Sequence, residues 1–212
     1  MGEAPEVNLW SSAQHALEYL RRADSIPHRA EGEATLVEFL PGNAKRILDL
    51  GSGGGRLLGL AKVARPAAEF VALDFSPAML AALSVSFGND PTVDIVAHNL
   101  DEVLPALGKF DAVISSFAIH HVTHERKRAL YAEIFDLLVS GATFCNLEHV
   151  ASPTPALQAG FLRAISCDDE DPSNKLLDLE TQLAWLREIG FADVDCHWKW
   201  RELALFAGTK PV

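Results

Sequence analysis

The chain has 212 residues, 49% hydrophobic and 22% charged, with 18 Lys and Arg against 29 Asp and Glu and a formal net charge of −11. A chain of about 200 residues buries on the order of 70% of its unfolded surface, so one domain with a complete core is expected, without disulfides or structural metals. The acidic balance excludes a basic face that gains affinity by displacing phosphate counterions, and no apolar run approaches the roughly 20 residues that span a bilayer, so neither nucleic acid nor a membrane is an expected partner.

Residues 11–40 carry helical spacing. Ala13, Ala16, Leu17 and Leu20 make one apolar stripe and Leu36, Val37, Phe39 and Leu40 another, with Ile26-Pro27 between them, which predicts two helices. Arg46 to Leu50 is then a short apolar run that ends in glycines, and Arg56 to Val63 resumes helical spacing. The alternation continues with a strand at Phe70 to Leu73, a helix at Ser76 to Val85, and strands at Val93 to Val96 and Phe110 to Ser115. A helix at His124 to Val139, a strand at Ala142 to Leu147 and a helix at Glu180 to Ile189 follow. Val194 to Trp200 and Glu202 to Ala207 are too close in sequence to pair except as an antiparallel hairpin. The pattern predicts an α/β protein with a seven-stranded, mostly parallel sheet, an antiparallel C-terminal hairpin, helices on both faces and an N-terminal helical cap. Ala151 to Lys175, with three prolines and the acidic run Asp168 to Asp171, is the least regular stretch and reads as a lid or as solvated surface. Cys145, Cys167 and Cys196 form no CxxC pair, and Met1 to Glu6 has no basic leader before an apolar stretch, so a cytoplasmic location is expected.

In open parallel sheets, ligands sit beyond the carboxyl ends of the strands where the chain order reverses, and the first strand-to-helix turn is the usual cradle. Here that turn is Asp49-Leu50-Gly51-Ser52-Gly53-Gly54-Gly55, whose glycines permit a sharp bend and a close ligand approach. The dinucleotide fingerprint Gly-x-Gly-x-x-Gly fails, because its last place, counted from Gly51 and Gly53, holds Arg56. Acid-x-Gly-x-Gly-x-Gly through Asp49, Gly51, Gly53 and Gly55 is satisfied, and in this the chain resembles the class I S-adenosylmethionine-dependent methyltransferases. The resemblance extends over residues 45–212: Asp74 ends the second strand 25 positions after Asp49, Phe110-Asp111-Ala112-Val113 lies in the fourth, Ser140-Gly141 makes a turn, and a hairpin closes the chain. It implies a Rossmann-like fold and S-adenosyl-L-methionine as cofactor. Asp49, Gly51 and Gly53 would then hold the methionine end, Asp74 would accept from the ribose diol, and Phe75 and Met79 would flank the adenine. Asn99 stands where many relatives use an Asp for the adenine amino group, with Asp101 a competing assignment, and Ser52, Leu100 and Ser115 complete the cofactor-binding set.

The fourth strand runs into Ser115-Ser116-Phe117-Ala118-Ile119-His120-His121-Val122, where similar small-molecule methyltransferases often carry one or two histidines able to accept a proton at physiological pH. The fifth strand, expected beside it, ends in Asn146-Leu147-Glu148-His149. His120, His121, Glu148 and His149 are therefore the catalytic candidates. The same four are candidate ligands for a divalent metal ion, since imidazoles with a carboxylate suit Mn, Fe, Ni or Zn; a metal-free base and simple packing are the alternatives. Neighbours on one strand point opposite ways, so His120 and His121 need not both face the site. In similar enzymes the N-terminal helices fold over the cofactor. Tyr19 is the candidate substrate contact there, and Arg29 is either a partner for a cofactor carboxylate or a surface residue pairing with Glu31 or Glu33. His197, Trp10 and Trp185 read as packing residues.

These expectations describe one methyltransferase domain over residues 1–212, with 1–44 a helical cap and 45–212 the cofactor-binding core, monomeric or homodimeric, acting on an O, N, S or C nucleophile of a small molecule. Its acidity, and Ser116-Phe117-Ala118-Ile119 in place of the Asn-Pro-Pro-aromatic stretch of nucleic-acid amino methyltransferases, favour the small acceptor. An S-adenosylmethionine sensor without turnover and a nicotinamide-dependent oxidoreductase are the rivals, the second weakened by Arg56.

Overall fold

The computed structural model of the chain describes residues 9–212. The leaderless reading of Met1 to Glu6 lies outside the described residues. Helices α1 (Ala13–Arg22) and α2 (Arg29–Glu38) precede β1 (Arg46–Leu50), α3 (Arg56–Ala64), β2 (Glu69–Asp74), α4 (Pro77–Phe87), β3 (Val93–Ala97) and β4 (Phe110–Ser116). A 3-10 turn at Ile119–His121 leads into α5 (His124–Leu137), β5 (Leu138–His149), α6 (Pro155–Ala164), α7 (Leu179–Ile189), β6 (Ala192–Trp200) and β7 (Leu203–Thr209). The seven strands form one sheet in the order β3-β2-β1-β4-β5-β7-β6. β1 to β5 are mutually parallel, and β7 runs antiparallel between β5 and β6.

The central strands are nearly unbroken apolar runs because both faces of the sheet are covered. Ile47, Ala72, Ile114 and Leu147 point into the layer that holds Leu36 of α2, Leu57 of α3 and Phe161 of α6. Leu48, Val71, Val113 and Phe144 alternate into the opposite layer with Leu130 of α5 and Leu186 of α7. Of the two N-terminal helices, α2 is one of these core helices. Its Gly32 lies so near the sheet that a Cβ would stand 2.9 Å from both Leu147 and Trp198, so this interior glycine is the condition for close packing. α1 and its flanks line the cavity at the mouth of the sheet with Trp10, Tyr19, Leu20 and Ala23, and α2 reaches it with Arg29.

Most element ends shift by a residue or two from the sequence expectation, and two differences change the elements themselves. The stretch taken as irregular contains α6, whose Thr154 hydroxyl accepts from the Leu157 amide at 3.3 Å and whose first residue is Pro155. That Thr-Pro pair was the readable signal. α5 ends at Leu137 rather than Val139, because Leu138 already pairs with Phe110 at the start of β5. No helix among the described residues is long and apolar enough to cross a membrane.

Candidate active site

β1 is flanked by β2 on one side and β4 on the other, so the chain order reverses between β1 and β4. A cavity of about 370 Å³ opens there, walled by Asp49 and the Gly51–Gly55 loop after β1, Asp74 and Phe75 after β2, His98–Asp101 after β3, and Ser116–Ala118 after β4. Trp10, Tyr19 and Leu20 close it from the α1 side.

At the glycine end, Asp74 organises the loop. Its Oδ2 accepts from the Gly53 amide at 2.8 Å and its Oδ1 from the Ser76 amide at 2.9 Å. Gly51 has φ +67°, and a Cβ on it would meet the Ala118 Cβ at 2.2 Å, so the turn is closed to any side chain on both conformational and steric grounds. Asp49 is buried, and its Oδ2 has no hydrogen-bond partner among the described residues. Burial pushes its carboxyl up to about 7, against a hydrogen bond from Ser52, with the nearby Asp74 and Glu33 carboxylates adding to the rise. A buried acid with an unfilled oxygen beside a bare glycine cradle is suited to a ligand that brings a positive or donor group.

From the sequence, Glu33 reads only as a surface partner for Arg29. It sits fully buried on α2 between two guanidinium groups, accepting from Arg29 Nε and from Arg56 Nε, each at 2.7 Å. Of the two readings of Arg29, the surface one is overturned while its pairing with Glu33 is found: the residue is buried, lines the cavity, and also donates to the Tyr19 hydroxyl at 3.0 Å. A glutamate in a charged stretch of helix reads as surface, and only the packing of α2 onto the sheet reveals it as a core ion pair. Phe75, Met79, Asn99 and Leu100 line the cavity as expected, with Asn99 Oδ1 accepting from the Asp101 amide at 3.1 Å. Ser115 does not line it. Its hydroxyl donates to the Leu50 carbonyl at 2.9 Å and ties β4 to β1, while the next residue, Ser116, lines the cavity with a buried Oγ that has no partner among the described residues. The alternation of strand side chains makes that one-residue difference decisive.

The four catalytic candidates are divided by the structure. His121 lines the cavity, stacked obliquely against Trp10 with ring centroids 5.0 Å apart. Its Nε2 is buried and has no partner among the described residues. His120, Glu148 and His149 lie behind it, outside the cavity lining. His120 Nδ1 is 2.5 Å from Glu148 Oε1, and Asn146 Nδ2 donates to Glu148 Oε2 at 3.2 Å. Burial drives both His120 and His121 below the ordinary imidazole range, so both rings are neutral at physiological pH and His120 donates Nδ1–H to the carboxylate. His149 packs its ring on Phe161 at 4.8 Å and stands 6.0 Å from His120 between centroids. His120 and His121 have ring centroids 4.1 Å apart, yet no group of three or more His, Cys, Asp or Glu among the described residues has the geometry to hold a metal ion. Of the readings the sequence left open for these four residues, the metal set is not supported, and Glu148 is the centre of a polar network. The unanticipated residue at this end is Phe117, whose φ of +54° is rare for a bulky side chain and aims its ring beneath the Arg29 guanidinium at 5.0 Å. Trp10, read as packing, is part of the cavity wall.

A family model described as a methyltransferase domain matches residues 47–141. The chain is 30% identical over 200 residues to a demethylmenaquinone methyltransferase of Clavibacter sepedonicus, covering 84% of this chain and 78% of that protein. It is 31% identical over 129 residues to an uncharacterized methyltransferase of Mycobacterium tuberculosis, covering 61% of each. An O-methyltransferase family protein from Burkholderia thailandensis superposes with a TM-score of 0.75 at 17% identity, over 95% of this chain and 61% of that one, a likeness of fold. The chain thus spans about three fifths of the length of the last two proteins. It belongs to the class I S-adenosylmethionine-dependent methyltransferases.

Proposed function

We propose that the protein transfers a methyl group from S-adenosylmethionine to a nucleophilic atom of a small molecule, with His121 as the base. The observation that carries this reading is one cavity lined both by buried carboxylates and bare glycines and by Trp10, Tyr19, Phe117 and His121, whose Nε2 has no partner among the described residues. The cofactor, when bound, supplies an electrophilic methyl group on a sulfonium. The residues present fit it. Asp49 and the glycine loop would take the methionine end, Arg29 its carboxylate, Asp74 the ribose hydroxyls, and Phe75, Met79 and Asn99 the adenine. His121 would remove the acceptor's proton while the aromatic walls exclude water and hold the acceptor in line. The similar protein named for demethylmenaquinone supports a small acceptor. The structure offers no support for metal assistance or for a nicotinamide cofactor, Arg56 being paired with Glu33 at the place a dinucleotide loop needs glycine.

The test is release of S-adenosylhomocysteine when the protein is given S-adenosylmethionine and a panel of phenols, enols, amines and thiols. Turnover of at least one acceptor is expected, with kcat lowered about a hundredfold in His121→Ala and S-adenosylhomocysteine affinity little changed. Tight binding with no turnover of any acceptor would favour the sensor instead.

A pH effect follows from Asp49, faced by Asp74, Glu33 and the Ser52 hydroxyl. With its carboxyl at about 7 in the free protein, part of the population is protonated near neutrality. An ammonium-bearing ligand prefers the ionised form, so binding releases a proton. Affinity for S-adenosylhomocysteine is expected to rise as pH goes from 6 to 8, and the calorimetric heat at pH 7 to differ between phosphate and Tris buffers. Equal heats in the two buffers would refute a titrating Asp49.

A further inference from the structure

The segment after the acidic run is pinned against the 3-10 turn that carries His121. The Lys175 amide donates to the His120 carbonyl at 2.7 Å, and Lys127 Nζ donates to the Lys175 carbonyl at 3.1 Å. His124 Nε2 is 3.0 Å from the Leu176 carbonyl, and the Ala151 amide donates to that of Leu177 at 3.0 Å. The strap therefore has a defined register over the cavity wall, and it brings Asp171 and Ser173 to His121.

The proton positions in this group follow from donor and acceptor chemistry. Burial alone would raise the Asp171 carboxyl, but the Ser173 hydroxyl and amide, with His121 and His15 nearby, outweigh it and hold the group below its usual range. Asp171 is thus ionised and can only accept. The Ser173 hydroxyl, 2.7 Å from Asp171 Oδ1, must donate to it, as the Ser173 amide does at 2.9 Å. The hydroxyl oxygen is left to accept, and His121 Nδ1 is 3.1 Å from it; the other polar atom near Nδ1, the Ser173 carbonyl at 3.5 Å, is also an acceptor. Both neighbours of Nδ1 require it to carry the hydrogen. In a neutral imidazole the lone pair is then on Nε2, the nitrogen that has no partner among the described residues.

We propose that Asp171 and Ser173 form a relay that fixes His121 as its Nδ1–H tautomer and so presents Nε2 as the proton acceptor in the substrate half of the cavity. Asp171 and Ser173 are positioning residues in this assignment. A proton taken from the O–H or N–H of an acceptor goes to Nε2, and the imidazolium formed keeps its Nδ1–H on Ser173, with the Asp171 charge behind it. The second Asp171 oxygen is 3.5 Å from His15 Nε2 on α1, so the helix that covers the cavity touches the same carboxylate. The use of Nε2 in catalysis rests on the methyltransferase reading; the tautomer does not.

The test is a long-range 1H–15N correlation spectrum of the imidazole nitrogens in uniformly labelled full-length protein at pH 7.5, with and without S-adenosylhomocysteine, His121 being assigned from the signals lost in His121→Gln. The wild type is expected to show a protonated Nδ1 and an unprotonated Nε2. In Asp171→Asn the side-chain amide can donate to Ser173, whose hydroxyl is then free to donate to Nδ1, so His121 should shift towards Nε2–H; Ser173→Ala should give a mixture, and Ser173→Thr should restore the wild-type signals. On any acceptor found, kcat should fall roughly tenfold or more in Asp171→Asn with KM changed much less. Nε2–H in the wild type, or Nδ1–H retained in both Asp171→Asn and Ser173→Ala, overturns the relay even if the enzyme methylates its acceptor. Nδ1–H in a protein that methylates nothing leaves the relay standing and removes the methyltransferase reading.

Discussion

Asp74→Ala is expected to weaken S-adenosylhomocysteine binding by about a hundredfold or more, read by calorimetric titration against the wild type. Its two oxygens hold the amides of Gly53 and Ser76, and through Gly53 they set the glycine turn in the open shape that the cavity needs. Hydrogen bonds to a charged group contribute about 1.5–3 kcal/mol each, so losing the pair that orders the loop removes about 3 kcal/mol or more, which is about two decades in Kd. In the binding mode proposed above, the ribose hydroxyls would lose their acceptor in the same change. Folding itself should suffer less, because burial already raises the Asp74 carboxyl and its ionised form carries a desolvation cost that Ala lacks. A thermal midpoint within a few degrees of wild type, with binding lost, is the expected pairing. Unchanged affinity would mean that the loop holds its shape without Asp74 and that the ribose lies elsewhere.

Lys127→Met is expected to cost about 3–5 kcal/mol of stability at pH 7.5, lowering the thermal midpoint by on the order of 10 °C. Lys127 is fully buried on α5 and is the leading favourable charge near the equally buried Glu148, which also receives Asn146 Nδ2 and the His149 amide. Burial raises the Glu148 carboxyl, and Lys127 opposes that rise. Without the lysine, the folded Glu148 carboxyl moves further above its unfolded value. A group raised in this way is favoured in the folded state at low pH, and that advantage is lost as pH rises through the folded value. The deficit of Lys127→Met should therefore shrink between pH 8 and pH 5. The double variant Lys127→Met, Glu148→Gln should recover a large part of the loss, since both buried charges are gone. If the two single losses simply add and the deficit does not change with pH, the two groups are not a coupled pair.

How far the sequence could be read varied with the range of the interaction that placed each residue. The glycine turn, Asp74 and the alternation of strand and helix are local patterns, with every needed residue within a few positions of the next, and the turn geometry they require is where the cavity forms. His121 was reachable as one of an adjacent pair, but the choice between it and His120 was not. The turn after β4 is 3-10 rather than strand, and its winding decides which ring faces the cavity. Ser115 and Ser116 pose the same problem, where a single position of strand alternation separates a tie between strands from a cavity wall.

The sequence by itself determined the α/β class, the parallel sheet with its closing hairpin, and the place where the cavity opens, because periodicity and glycine spacing act over short stretches of chain. Only the tertiary structure decided that Glu33 is a buried bridge between Arg29 and Arg56, that Glu148 gathers a polar network, and that Asp171 and Ser173 meet His121 some fifty residues away. Those contacts depend on how α2, α5 and the strap pack on the sheet. Desolvation there turns charged residues that read as surface into buried pairs, each of which must find its partner in space rather than in sequence.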